Sequence, residues 1–360
     1  MDDRVRARLA AAADPTHPPD KPTGMDAGGA AAPAGATARP ARVVRIERDR
    51  ALLVTDAGET TRPLPAGLAV GDWVLIDEHR IRSIAERWSA LARTDPRSVG
   101  RRVDHAQVLA ANVDVVFIVE PLDRALRLSR LDRALAMVWE SGAVPVVVLT
   151  KADLHPDPEG LADRLTVALR GVDVIATSVI DGRGDGIDEV AARLAPGRTG
   201  VVLGLSGAGK SSLLNALAGE ALMDTGEVRA ADHRGRHTTT ARRLVALPGG
   251  GTLIDLPGLR ALGLWDAAEG VRAAFDDVDE LAADCRFADC AHEREPDCAV
   301  RLAIEDGRLD AERLDRWRKL AREAQVAARR QDPALDAAHR AEVRRVARSR
   351  RNDPRTRRKR

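Results

Sequence analysis

The run Gly204-Leu205-Ser206-Gly207-Ala208-Gly209-Lys210-Ser211-Ser212 fills every fixed position of the phosphate-binding P-loop. Val201-Val202-Leu203 enters it like a buried strand, and the residues from Ser212 to Ala218 leave it with apolar positions at helical spacing, the context the motif requires. A chain with this element is constrained to an open α/β sheet with ligands at the carboxyl ends of its strands. Gly204, Gly207 and Gly209 permit backbone conformations closed to other residues, so successive N–H groups can converge on phosphate oxygens at the positive end of the helix. Lys210 would neutralise the β- and γ-phosphates and Ser211 would place its hydroxyl on Mg2+. Ser212 is then a first-turn helix residue.

Around this loop the chain divides by pattern. Residues 1 to 40 hold six prolines and almost no large apolar side chains, and read as a disordered arm. From 41 to 90, short β-like runs (Val43 to Ile46, Leu52 to Thr55, Trp73 to Ile76) alternate with Gly-, Asp- and Pro-rich turns. They predict a small barrel, an OB-fold or an SH3-like one. Residues 101 to 270 alternate strand and helix patterns, the mark of a doubly wound α/β layer. A separate helical module is expected at 275 to 346, followed by a basic tail at 347 to 360.

A P-loop alone does not name the base. Thr150-Lys151-Ala152-Asp153, at the end of the apolar run from Val144 to Leu149, is similar to the guanine motif Asn-Lys-x-Asp. A carboxylate at Asp153 accepts from guanine N1–H and the exocyclic amino group, whereas adenine leaves those acceptors unpaired; with Asp153 buried, the site would reject adenine. Thr150 replaces Asn and can make one of its two amide contacts, while the Lys151 stem would cover the base. Thr177-Ser178 ends the next strand run. Asp255-Leu256-Pro257-Gly258 stands where an Asp-x-x-Gly motif reaches Mg2+ through water and offers the Gly258 N–H to the γ-phosphate. Between it and the P-loop, the polar stretch 220 to 242 carries His237-Thr238-Thr239-Thr240, any of whose threonines could supply a hydroxyl to Mg2+.

All three cysteines, Cys285, Cys290 and Cys298, lie within fourteen residues, with His292 among them. An odd, clustered set suits a structural tetrahedral Zn2+ of the Cys3His type better than a disulfide framework, with Phe287 as a small apolar plug. No run approaches a membrane span and the acidic start is unlike a signal peptide, so a cytoplasmic protein is expected. The net charge of +2 conceals ten Arg or Lys in residues 341 to 360, where the sum is +8 against about −6 elsewhere. Such a tail fits a polyanionic partner or serves solubility.

Motif order is informative, since the guanine motif at 150 precedes the P-loop at 204, the reverse of ordinary GTPases. With that permutation, the barrel and the Cys-x4-Cys-x-His-x5-Cys segment, residues 41 to 345 resemble the ribosome small-subunit-dependent GTPase family (RsgA, also YjeQ). The resemblance implies a circularly permuted P-loop GTPase domain between an OB-fold and a zinc-binding helical module. It implies a monomer that binds GTP with Mg2+ and one structural Zn2+, grips ribosomal RNA and acts late in assembly of the small subunit, which stimulates it. It also implies Thr239 as the switch I threonine and a catalytic part for His237 once its loop is ordered. Competing readings are an RNA-binding module in which nucleotide only locks a conformation, and a P-loop kinase of a small metabolite.

Overall fold

Alternating burial along residues 39–47 shows how the amino-terminal strands form. In the computed structural model, which describes residues 3–13, 38–94, 106–180, 183–219, 242–256 and 267–352, Ala41 and Val43 point inward while their neighbours stay wetter. This strand, β1 (Arg39–Glu47), pairs antiparallel with β2 (Arg50–Thr55) and with β4 (Trp73–Ile76). β2 pairs with β3 (Gly58–Pro63), and β4 with β5 (Ile81–Ile84). The result is a partly open five-stranded barrel of the OB type, filled by Ala41, Val43, Ala51, Leu53, Val74 and Ile76.

The arm is not wholly without structure. Residues 3–13 form a helix, α1 (Asp3–Ala13), whose Val5 and Leu9, one turn apart, pack on Leu75 and Ala85 of the barrel. The expectation of a disordered arm is corrected for these eleven residues; residues 14–37 and the tail from 353 lie outside the described residues.

The chain next forms β6 (Ala90–Thr94) and β7 (Ala106–Ala111), which pair with each other, and then enters the α/β layer. In order this layer comprises β8 (Val115–Pro121), α2 (Leu128–Glu140), β9 (Val144–Thr150), a 3-10 turn at Ala152–Leu154, α3 (Pro158–Ala168) and β10 (Asp173–Ala176). The hairpin β11 (Ser178–Ile180) and β12 (Arg183–Asp185) follows, then α4 (Ile187–Ala192), β13 (Thr199–Gly204), α5 (Lys210–Ala218), β14 (Arg243–Ala246) and β15 (Thr252–Asp255). Strands run β10-β9-β8-β13-β15-β14 across the sheet, all pairs parallel except β15–β14. β8 and β9 are almost continuously apolar, as strands covered on both faces must be. β14 also meets β1 at Arg45↔Arg243, so the barrel strands continue the sheet.

The described chain divides into two units, residues 1–92 with 108–262 and residues 93–107 with 263–360. Helices dominate the second: α6 (Ala268–Ala274), α7 (Asp276–Ala283), α8 (Ala299–Glu305), α9 (Ala311–Gln331) and α10 (Pro333–Asn352). Arg313 of α9 anchors them, donating to both Asp277 carboxylate oxygens at 2.6 and 2.9 Å and to the Ala274 carbonyl at 2.9 Å while its guanidinium covers the Phe275 ring. A buried guanidinium with its partners in place is compatible with a packed interior.

Candidate nucleotide site and cysteine cluster

The central strand β13 delivers the P-loop. Gly204 passes so close to β8 that a Cβ there would stand 2.6 Å from the Val119 carbonyl oxygen, which requires glycine independently of any ligand. Gly207 and Gly209 then turn through positive φ, +75° and +83°, and α5 starts at Lys210. Ala208 is buried, Leu205, Ser211 and Ser212 are half-buried, and Ser206 is exposed. The Lys210 ammonium donates to the Leu205 carbonyl at 2.6 Å, folding back over its own loop. Burial lowers its pKa, an effect opposed by Asp255.

Asp255 ends β15 beside this loop, 8% exposed, with one carboxylate oxygen that has no hydrogen-bond partner among the described residues. Burial raises its pKa, with Arg243 and Lys210 pulling in the opposite direction. A buried carboxylate with an unpartnered oxygen, near a phosphate-loop lysine, offers a hard oxygen ligand suited to a hydrated cation such as Mg2+.

The guanine-type motif closes on the same loop from β9. The Thr150 hydroxyl donates to the Ala208 carbonyl at 2.7 Å, tying the two motifs together. Lys151 takes a left-handed conformation, φ 58°, and its ammonium lies 2.5 Å from an Asp123 carboxylate oxygen. Ser178 donates to Asp153 Oδ1 at 2.6 Å, and the Thr177 carbonyl accepts from Ala152 N at 3.1 Å. The strand end at 177–178 therefore positions the motif at 150–153. Asp153 itself is exposed, so the burial that rejection of adenine needs is not supplied by the chain alone. His237, Thr239 and Gly258 lie outside the described residues.

Asp123 and Arg124 stand beside the site but belong to no motif. They follow β8 by two and three positions, and the signal that could have found them is positional, because strand carboxyl ends are where such sheets hold ligands.

The second unit brings Cys285, Cys290, His292 and Cys298 together, with ligand atoms all within 4.8 Å of one another. A tetrahedral zinc with thiolates at about 2.3 Å and imidazole nitrogen at about 2.0–2.1 Å sets sulfur–sulfur distances of about 3.8 Å and sulfur–nitrogen distances of about 3.6 Å. Here Cys285 and Cys298 sulfurs are 3.9 Å apart and lie 3.6 and 3.5 Å from His292 Nδ1, so the residues fit that ion. Arg318 of α9 donates to the His292 carbonyl, and Trp317 packs its ring 5.6 Å from the imidazole. Phe287 is not the plug expected of it: it is 40% exposed with the Arg286 guanidinium over its ring. Cys298 and His292 are the buried side chains of this loop instead.

A P-loop on the central strand, with a guanine-type motif that precedes it in sequence but adjoins it in space, defines a circularly permuted GTPase. The RsgA GTPase family model matches residues 84–265, and the chain belongs to that family. Proteins called "Small ribosomal subunit biogenesis GTPase RsgA" from Streptomyces avermitilis and Opitutus terrae are 46% and 44% identical to it, over 84% of this chain in each case and 83% and 88% of theirs. Among solved structures, YjeQ from Thermotoga maritima matches with a TM-score of 0.58 at 24% identity, covering 80% of this chain and 99% of that one. YloQ, described as a circularly permuted GTPase, matches at 0.57 and 22% over 80% and 96%. These two likenesses speak to the fold, and the family makes this chain a GTP-hydrolysing enzyme. No helix among the described residues is long and apolar enough to cross a membrane.

Proposed function

We propose that this chain is a cytoplasmic, monomeric GTPase of small ribosomal subunit biogenesis, binding ribosomal RNA through its barrel and cysteine-bearing module and stimulated by the subunit it serves. The observation that carries this reading is 46% identity, across most of both chains, to relatives named for that role. Under it, residues 204–212 hold the phosphates, Thr150, Lys151 and Asp153 read guanine with support from Thr177 and Ser178, and the bound base itself covers Asp153. Ser211, Thr239 and Asp255 would hold Mg2+, directly or through water, and Gly258 would donate to the γ-phosphate. The ion would offset charge on the β- and γ-oxygens. Cys285, Cys290, His292 and Cys298 would hold one structural Zn2+, and the sulfur and nitrogen spacings support it.

Leu259 stands where Ras-like GTPases carry the glutamine that orients the attacking water, and an apolar side chain cannot do so. Slow intrinsic hydrolysis follows, with His237 supplying the positioning when the small subunit is bound. The test compares GTP hydrolysis with small subunits, large subunits and neither, for wild type and His237→Ala, alongside cosedimentation with a non-hydrolysable GTP analogue. Stimulation by orders of magnitude with small subunits alone is expected, most of it lost in the variant with binding retained. Fast hydrolysis without ribosomes refutes the need for a partner, and full stimulation of the variant clears His237 of the role.

A further inference from the structure

The loop that leaves β8 sets a cation against the P-loop. Asp123 sits between two positive groups, accepting from Lys151 Nζ at 2.5 Å through one carboxylate oxygen and from Arg124 Nε at 3.0 Å through the other. These contacts, that with Lys151 foremost, hold its carboxyl below the usual range. Arg124 is thereby aimed at the phosphate loop: among the described residues other than its chain neighbours, a Cβ built on Gly207 would have one of the Arg124 guanidinium nitrogens as the one atom within 4 Å, at 4.0 Å. Among the described residues Arg124 makes no hydrogen bond other than the one to Asp123, and its side chain is 42% exposed. A guanidinium has five N–H donors, so most remain available in a planar fork that matches phosphate oxygens.

We propose that Arg124 is a further phosphate-binding residue of the nucleotide site, held over the P-loop by Asp123 and contacting the α- or β-phosphate of a guanine nucleotide. The inference rests on reading residues 204–212 as that site. In a P-loop the backbone N–H groups cradle the α- and β-phosphates while the lysine reaches the β- and γ-phosphates. Gly207 lies in the cradle, three residues before Lys210, so a cation beside Gly207 meets the nearer phosphates rather than the γ-phosphate. Asp123 is the positioning residue: the carboxylate that fixes Arg124 is the same one that fixes Lys151 of the guanine motif, so base and phosphate ends of the site share one anchor.

Calorimetric titration of the full chain with GTP, GDP and ADP, at low and high salt, tests this on Arg124→Ala, Arg124→Lys and Lys210→Ala. Arg124→Ala should weaken GTP and GDP alike by about tenfold, the size expected of one charge-assisted hydrogen bond in a partly exposed setting. The deficit should narrow at high salt, and the lysine variant should recover part of it. Unchanged affinity overturns the proposal. So does a loss confined to GTP, which puts the guanidinium on the γ-phosphate, or a loss of preference for GDP over ADP, which makes Arg124 a prop for the guanine motif. Lys210→Ala is the separate control on the site: if it binds nucleotide like wild type, the reading of 204–212 fails whatever Arg124 does.

Discussion

Replacing Asp255 by Asn should make the nucleotide-free protein more stable while disabling its response to Mg2+. The carboxylate is buried, one oxygen lacks a partner among the described residues, and burial raises its pKa despite Arg243 and Lys210. An aspartate in the unfolded chain titrates near pH ~3.9. With the folded value above that, the native state holds the proton longer, so wild-type stability is full below the unfolded pKa and falls as pH rises through the folded one. The amide has no such step. Its advantage is therefore nil at the acid end, opens across that window and is constant above it. Leaving a buried charged acceptor unsatisfied costs about 1–3 kcal/mol, and the two nearby cations, with the new amide hydrogens needing acceptors, favour the low end, about 1 kcal/mol. With a urea dependence of about 3 kcal/mol per molar, the midpoint moves up by about 0.3 M at pH 7.5 and by progressively less toward pH 4. Tryptophan fluorescence in urea at a series of pH values reads this, and titration of GTP with and without Mg2+ should show the metal-dependent gain in affinity gone. A variant no more stable at pH 7.5, or equally favoured at every pH, would refute the claim that the native fold tolerates a strained carboxylate for the sake of the ion.

The guanine motif and the cysteine cluster yield two further expectations. Asp153→Asn should lose GTP and gain xanthosine triphosphate in competition experiments, because an amide can donate to the carbonyl that xanthine carries in place of the amino group; retained preference for GTP removes Asp153 from base recognition. Cys290→Ala should reduce zinc below one equivalent and unfold the module around α7 and α8 while leaving nucleotide binding intact, and metal analysis that finds no zinc in fresh wild-type protein contradicts the assignment.

The strands of the α/β layer were legible because both-face burial writes continuous apolar runs, and Val144 to Leu149 and Val201 to Leu203 fall inside β9 and β13. The P-loop was legible for a stronger reason: Gly204, Gly207 and Gly209 answer to steric needs in the chain itself, visible as a 2.6 Å approach and two positive φ angles. What was lost is local context. The valine and leucine of α1 have the spacing of a helix face, yet the Ala- and Pro-rich composition of the arm hides an apolar contact that only the barrel makes worthwhile. Asp123 and Arg124 belong to no motif, since their roles depend on the register of β8 beside β13. Phe287 stays exposed while Cys298 and His292 are buried, an arrangement that residue counting does not reveal.

Permutation also decides what the second unit is fastened to. β8, β13 and β15 are neighbours in the sheet, yet the chain enters β8 from residues 93–107 and runs on past β15 to residues 263–360, both parts of the second unit. In an unpermuted GTPase order, the segment after β15 would return to β8 within the domain; here that connection is opened and each end leads to the unit that carries the cysteine cluster. The segment after Asp255 runs in sequence into that unit, so covalent chain joins the strand end that carries Asp255 to the module with the cysteine cluster. Inserting about six Gly and Ser residues between Leu262 and Gly263, where the two units divide and beyond Gly258, would lengthen this connection, and a flexible linker transmits little displacement. Binding of GTP, zinc content and cosedimentation with small subunits should persist, while stimulation of hydrolysis by the subunit collapses toward the intrinsic rate. Stimulation undiminished by the insertion would mean that the subunit acts on the nucleotide site directly, with no part for the connection between the units.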